Sequence, residues 1–131
     1  MLKYKGWFIM MLISLFLFGM TACSDGSANS YEQITPQEAK TIMDTKSEFY
    51  LIDARTTEEF AEGHIADAIL IPEYEIADRA EKELPDKDAL ILVYCRSGRR
   101  SKIASEELVK LGYTNVKEFG GIIDWPYKIV K

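Results

Sequence analysis

From residue 31 onward, short strand-forming segments alternate with segments of helical periodicity. Strands are predicted at residues 31–34, 49–53, 68–71, 89–94 and 116–119, and helices at residues 35–44, 58–61, 74–84 and 101–111. The run ALILVY at residues 89–94 is the most hydrophobic of these segments and predicts a central, buried strand. The alternation predicts a single α/β domain, with a mainly parallel sheet and helices on both of its faces.

The ends of two predicted helices carry recognisable signals. Thr35 and Pro36 suit an N-cap and a first helical position, and Glu38 lies three residues after the cap, as in a capping box. Gly112 follows the last periodic residue of the helix at 101–111, where a glycine commonly ends a helix. These signals support the two helices independently of their apolar spacing.

Residues 1–22 have the layout of a secretory signal. Lys3 and Lys5 form a basic start, residues 7–18 are apolar except for Ser14, and residues 19–22 are mostly small. The apolar run is shorter than the roughly 20 residues that an ordinary spanning helix needs, although a transmembrane anchor is the alternative interpretation. We therefore predict three regions: a signal peptide at 1–22, an attachment site and tether at 23–30, and the folded domain at 31–131.

The segment MTAC at residues 20–23 resembles the lipobox of bacterial lipoproteins. The resemblance implies that Cys23 becomes the first residue of the mature protein and carries lipid, including palmitate. Residues 24–30 (SDGSANS) have no apolar periodicity and are typical of a flexible tether. Both the lipid anchor and the transmembrane alternative place the domain outside the cytoplasm and on a membrane.

Charge and cysteine content narrow the possible functions further. Cleavage before Cys23 removes two of the 16 basic residues and none of the 21 acidic ones, which leaves a net charge of −7. Such an acidic domain is a poor candidate for nucleic-acid binding, which requires a basic surface. A lipidated Cys23 cannot form a disulfide, so Cys95 would be a lone thiol in an oxidising compartment. A thiol in that position is either buried and inert or retained for its chemistry.

Cys95 follows the predicted central strand and precedes a predicted helix, where ligands bind in open parallel sheets. The helix N-terminus favours an anion, and Gly98 allows successive backbone N–H groups to point towards one centre. Arg96, Arg99 and Arg100 add positive charge to the same loop. All three features favour the thiolate, which is the nucleophilic form of cysteine. The alternative, a small buried hydrophobe, fits poorly with three adjacent arginines.

Three blocks of the sequence, in order, resemble the signature of rhodanese domains and cover nearly all of residues 31–131. The matching positions are Asp53, Arg55, Glu59, Phe60, Gly63, His64, Ile65, Ala68, Ile71 and Pro72, then the loop CRSGRRS at 95–101, then Gly120, Gly121 and Trp125. The resemblance implies a sulfurtransferase with five parallel strands. It also implies a persulfide on Cys95, formed from a donor such as thiosulfate and discharged to a thiol or cyanide.

The same resemblance implies how the donor is held. The substrate-binding residues would be Arg96, Ser97, Gly98, Arg99, Arg100 and Ser101. The resemblance implies that no metal and no organic cofactor is needed. The single histidine and the lack of a Cys-x-x-Cys pair also argue against a metal or dithiol site. The expected partners are a small anionic sulfur donor, a thiol acceptor and the membrane, with the protein itself a monomer.

Two other functions are compatible with this fold, because fold alone does not determine function. Phosphatases and arsenate reductases also use a cysteine loop, but four residues separate Cys95 from Arg100, where the phosphatase loop has five. The shorter loop favours a single sulfur atom over a phosphoryl group. The second alternative is a non-catalytic binding module, which the presence of the cysteine disfavours, or a sulfide- or redox-sensing module, with which the cysteine is compatible.

The remaining polar residues of the signature are expected to have supporting roles. Asp53 and Arg55 are predicted to form a hydrogen-bonded pair, and His64 is expected to hold a turn rather than to act as a base. Trp125 is expected in the core or in a pocket wall. Glu58, Glu59 and Glu62 are expected to form a solvated helix face.

Overall fold

The computed structural model describes residues 30–131. The predicted signal at 1–22, the lipid site at Cys23 and most of the predicted tether therefore lie outside the described residues. Within residues 30–131, no helix is both long enough and apolar enough to cross a membrane.

The centre of the domain is a five-stranded sheet in which every neighbouring pair of strands is parallel. The strands are β1 (Glu32–Gln33), β2 (Tyr50–Asp53), β3 (Ile69–Leu70), β4 (Ile91–Cys95) and β5 (Val116–Gly121). Their order across the sheet is β1-β5-β4-β2-β3, so the most hydrophobic strand, β4, is central as predicted. The predicted α/β class and the parallel sheet are confirmed.

Four α-helices connect the strands: α1 (Pro36–Thr45), α2 (Thr57–Glu62), α3 (Ile76–Glu83) and α4 (Arg99–Lys110). Short 3-10 turns at Glu73–Glu75 and Ile122–Asp124 follow β3 and β5. The predicted capping box of α1 is present: the Glu38 amide donates to Thr35 Oγ1 at 3.1 Å, and the Thr35 amide donates to Glu38 Oε2 at 2.7 Å. These two bonds satisfy amides that would have no partner within the helix.

Hydrophobic clusters cover both faces of the sheet, which places helices on each face as predicted. Side chains alternate along β4: Ile91, Val93 and Cys95 join the cluster under α3 and α4, whereas Leu92 and Tyr94 join the cluster under α1. All five residues of β4 are at most 1% exposed. The alternation directs the Cys95 side chain towards the face that α4 covers.

The structure corrects the predicted start of α4, which begins at Arg99 rather than at Ser101. Gly98 adopts a left-handed conformation with φ of 109° and turns the chain directly from the loop into the helix. Arg99 and Arg100 therefore belong to the first helical turn and not to the loop. The loop between β4 and α4 is shorter than the sequence suggested.

Candidate active site

Cys95 is the last residue of the central strand and is 1% exposed. Its Sγ accepts a hydrogen bond of 3.0 Å from the backbone amide of Gly98, immediately before α4. The first amides of α4 have no acceptor within the helix, and their dipoles favour negative charge at this end. The loop can therefore stabilise an anion at or beyond Sγ.

Gly121, the last residue of β5, lies directly against this loop. Cys95 pairs with Gly121 in the sheet, and the ladder between β4 and β5 is irregular between Val93 and Cys95. A Cβ atom on Gly121 would lie 1.9 Å from the Arg96 carbonyl oxygen and 2.4 Å from the Ser97 nitrogen. Only glycine fits at this position, because the backbone of the loop lies directly against it.

Glu118 is a component of the site that sequence reasoning missed. It lies on β5, is 2% exposed, and its Oε1 accepts hydrogen bonds from Ser101 Oγ at 2.6 Å and from the Gly120 amide at 2.7 Å. The Cys95 thiol in turn donates to Ser101 Oγ at 3.3 Å. One signal for this role was available: Glu118 is the acidic residue at a core-facing position of a predicted strand.

Arg100 is engaged by a carboxylate of the neighbouring helix. Its two terminal nitrogens donate to Glu59 Oε1 at 2.6 Å and Oε2 at 2.9 Å, a bidentate ion pair between α4 and α2. The hydrogen bond from Arg100 lowers the pKa of Glu59 to about 2, and Glu59 raises the pKa of Arg100. The expectation that Glu59 belongs to a solvated face is thus wrong, since the sequence does not show its partner on α4.

The side chains of Arg96 and Ser97 in the loop and of Arg99 at the start of α4 are exposed. Arg96 lines a pocket of about 280 Å³ together with Arg55, Glu59, Glu62, Ile122 and Ile123. Cys95 is not among the residues that line this pocket, and the charged residues that line it are of both signs. The exposed positive charge of Arg96 and Arg99, close to Cys95 in the chain, suits an anionic ligand that approaches from solvent.

Asp53 and Arg55 form the predicted pair at the carboxyl end of β2. Arg55 donates to both Asp53 carboxylate oxygens at 2.8–3.2 Å and to the Gly63 carbonyl at 2.7 Å. The hydroxyl of Tyr94 donates to Asp53 Oδ2 at 2.6 Å and accepts from the Ile65 amide at 3.1 Å. Burial, followed by the charge of Asp53, raises the pKa of Tyr94. This buried network joins β2, β4 and the segment after α2.

His64 lies in the turn after α2 and bonds to the backbone there. Its Nδ1 is 2.9 Å from the Phe60 carbonyl, and its ring stacks on Phe60 at 3.7 Å between centroids. Its backbone exchanges two hydrogen bonds with Val130, of 2.9 and 2.8 Å. Trp125 is 8% exposed and packs on Phe119, on the face of the sheet opposite Cys95. Neither side chain is placed to act on the sulfur.

Across the part of the chain that the structure describes, no group of three histidine, cysteine or carboxylate residues is arranged to hold a metal ion. The candidate nucleophile is Cys95 Sγ, which contacts one backbone amide and the Ser101 hydroxyl, and the buried carboxylate of Glu118 binds that hydroxyl.

A family model, curated relatives and a solved structure that resemble this chain are described as rhodanese or sulfurtransferase proteins. The family model described as "Rhodanese-like domain" matches residues 35–126. Thiosulfate sulfurtransferase PspE of Escherichia coli K12 is 41% identical over 73 residues, which cover 56% of this chain and 70% of that protein. A sulfurtransferase of Allochromatium vinosum is 42% identical over 85 residues, or 64% of this chain and 77% of that protein. The solved structure of a rhodanese with anions from Escherichia coli has a TM-score of 0.59 and 39% identity, covering 63% of this chain and 96% of the other.

Proposed function

The chain belongs to the rhodanese-like family of sulfurtransferases, and we propose that it transfers sulfane sulfur through a persulfide on Cys95. Thiosulfate is the proposed donor, and a thiol or cyanide is the proposed acceptor. The name of the Escherichia coli relative, a thiosulfate sulfurtransferase, supports this donor. The observation that carries the proposal is the hydrogen bond from the Gly98 amide to Cys95 Sγ at the start of α4.

In the loading step, the Cys95 thiolate attacks the outer sulfur of thiosulfate. A sulfur–sulfur bond forms to Cys95, the sulfur–sulfur bond of thiosulfate breaks, and sulfite leaves with the electron pair. In the discharge step, the acceptor thiolate attacks the outer sulfur of the persulfide, and Cys95 leaves as the thiolate. The outer persulfide sulfur carries negative charge between the two steps, and the amides at the start of α4 are suited to stabilise it.

The arginines have different proposed roles. Arg96 and Arg99 are exposed and attract the anionic donor to the mouth of the site. Arg100 is already paired with Glu59, so its contribution is to hold the start of α4 against α2. The same pairing argues against a phosphatase, in which the loop arginine clamps a phosphoryl group.

Intact-mass measurement of the full chain after incubation with thiosulfate tests the proposal. We expect a gain of one sulfur atom, localised to the Cys95 peptide, and release of one equivalent of sulfite. Cys95→Ser should show neither change while keeping the wild-type melting temperature. A wild-type protein that remains unmodified by thiosulfate and by small persulfides would contradict the proposal.

We also propose that the domain is exported and held at a membrane by lipid on Cys23. The signal-like pattern of residues 1–22 and the lipobox-like segment support this. The mature protein is expected to begin at a lipid-modified Cys23 and to fractionate with membranes. Cys23→Ser should abolish the lipid mass and either block processing or release the protein. A wild-type protein that fractionates with membranes with residues 1–22 intact and no lipid on Cys23 would favour the transmembrane alternative.

A further inference from the structure

A chain of hydrogen bonds runs from the nucleophile into the protein interior. The Cys95 thiol donates to Ser101 Oγ at 3.3 Å, and Ser101 Oγ donates to Glu118 Oε1 at 2.6 Å. The three side chains come from β4, α4 and β5, and none is more than 2% exposed. A serine hydroxyl has a single hydrogen. Ser101 Oγ also lies 3.0 Å from the Gly98 carbonyl and 3.3 Å from the Gly120 carbonyl, but the carboxylate of Glu118 is the nearest acceptor and the charged one. With the hydrogen directed at Glu118, the lone pairs of Ser101 accept the hydrogen bond from the thiol.

Among the residues that the structure describes, Glu118 has no cationic partner to account for its burial. None of the ion pairs within residues 30–131 includes Glu118, and the neighbouring Lys117 pairs with Glu32. Tyr31, ahead of β1, is near enough to Glu118 for charge coupling. A tyrosine is not a cation and does not offset the charge of a buried carboxylate.

The sulfur end of the chain has a different electrostatic environment. Arg100 on α4 is near enough to Cys95 and Asp53 to couple with both, but its guanidinium is bound by Glu59 from α2. Asp53 on β2 is balanced by its ion pair with Arg55. The buried and half-buried charges on this side are therefore matched in pairs, whereas Arg96 and Arg99 are exposed to solvent. Within the described residues, Glu118 is the buried carboxylate near the thiol that has no counter-ion, and it reaches the thiol through Ser101.

We propose that Glu118 is a positioning residue that acts on Cys95 through Ser101, keeping the sulfur as a thiol at rest and storing its proton while the persulfide is present. This inference rests on the persulfide chemistry proposed above. The Gly98 amide and the start of α4 favour the thiolate, whereas a carboxylate two hydrogen bonds from the sulfur disfavours a second negative charge there, and we infer that the carboxylate prevails at rest. A resting thiol is also less reactive towards oxidants than a thiolate, which matters in an oxidising compartment.

The proton balance of the cycle follows from the direction of the bonds. On loading, the thiol proton moves to Ser101 Oγ, the Ser101 hydrogen moves to Glu118 Oε1, and the sulfur attacks the donor. Sulfite leaves with the electron pair, so the persulfide state contains a neutral Glu118. On discharge, the electron pair of the breaking bond returns to Cys95 Sγ and both protons move back. The buried site carries one negative charge throughout, and no further reactant is required.

The pH dependence of Cys95 alkylation by iodoacetamide tests the resting state without any sulfur transfer. The Cys95 peptide is followed by mass spectrometry in the full chain. Glu118→Gln preserves the shape and the acceptor oxygen but removes the charge, so its alkylation midpoint should move to lower pH by about one unit. Below the midpoint, alkylation should be about tenfold faster than in the wild type. Glu106→Gln makes the same charge change on the exposed side of α4 and should leave the profile unaltered. An unchanged or higher midpoint in Glu118→Gln would overturn the proposal.

A measurement on the wild type avoids dependence on the folding of a variant. Infrared difference spectra are recorded with ¹³C-labelled glutamate before and after Cys95 is converted to the persulfide. We expect one carboxylate signal to be replaced by a protonated carboxyl signal, and the change to be absent in Glu118→Gln. If Cys95 gains sulfur and no carboxyl signal changes, the storage of the proton on Glu118 is refuted, but the resting thiol is not. Failure to load Cys95 refutes the proposed function, while the alkylation profile still decides the resting state.

Discussion

Substituting Gly121 by alanine should impair both the stability and the activity of the protein. The backbone at this position has φ of −132° and ψ of 157°, which any residue adopts, so the cost comes only from contact. The new Cβ would lie 1.9 Å from the Arg96 carbonyl oxygen, whereas ordinary contact begins at 3.4 Å. The loop after Cys95 must therefore move by about 1.5 Å, the difference between these two distances.

Displacement of that size has two expected effects. Crowding within packed structure costs about 1–3 kcal/mol of unfolding free energy, and misplacement of reacting groups by roughly 1 Å lowers a rate by about 100-fold. Chemical denaturation and the rate of persulfide formation from thiosulfate measure the two effects separately. Gly112→Ala is the matched control: Gly112 has φ of 97° and no atom near its added Cβ, so it should lose some stability but keep the wild-type loading rate. Wild-type loading in Gly121→Ala would refute the inferred contact between β5 and the loop.

Three further predictions concern the charged residues around the site. Asp53→Asn should lower the unfolding free energy by about 3–5 kcal/mol in chemical denaturation, because Arg55 would lose its buried counter-charge; a loss below about 1 kcal/mol would contradict this. Glu59→Gln should cost about 1 kcal/mol at neutral pH. Because the pKa of Glu59 is lowered to about 2 in the folded protein, this stabilisation is present above the ordinary carboxyl pKa and lost as pH falls towards 2; the gap between wild type and variant should therefore close in acid melts. Arg99→Ala should weaken thiosulfate binding by about 1–3 kcal/mol in steady-state kinetics, with the gap narrowing at high salt; unchanged kinetics would show a merely solvated side chain.

Local patterns in the sequence predicted the elements of this fold well. The capping box at Thr35, the apolar run that becomes β4 and the alternation of strands and helices each depend on neighbouring residues. The position of Cys95 followed from the order of elements, because a strand that precedes a helix in a parallel sheet ends at the edge where ligands bind.

The contacts that complete the site join residues far apart in the chain. Glu59 and Arg100 belong to different helices, and Ser101 and Glu118 to a helix and a strand. The local sequence of an acidic helix is the same whether its glutamates face solvent or form ion pairs with another helix. The ion pair of Glu59 with Arg100 was therefore not predicted. The start of α4 was misplaced because the sequence does not show that Gly98 adopts a left-handed conformation and that the helix begins at the next residue.

The backbone pairing between His64 and Val130 links the segment at residues 129–130 to the interior of the protein. Gly63, next to His64, supplies the carbonyl that binds Arg55, and a Cβ on Gly63 would lie 2.9 Å from Ile129 Cδ1. Residues 129–130 thus hold the turn whose Gly63 carbonyl binds Arg55, and Arg55 is the ion-pair partner of Asp53. Substitutions at residues 129–130 that break the pairing with His64 are therefore expected to disturb the Gly63 carbonyl, and through it Arg55, at a distance along the chain from the catalytic loop.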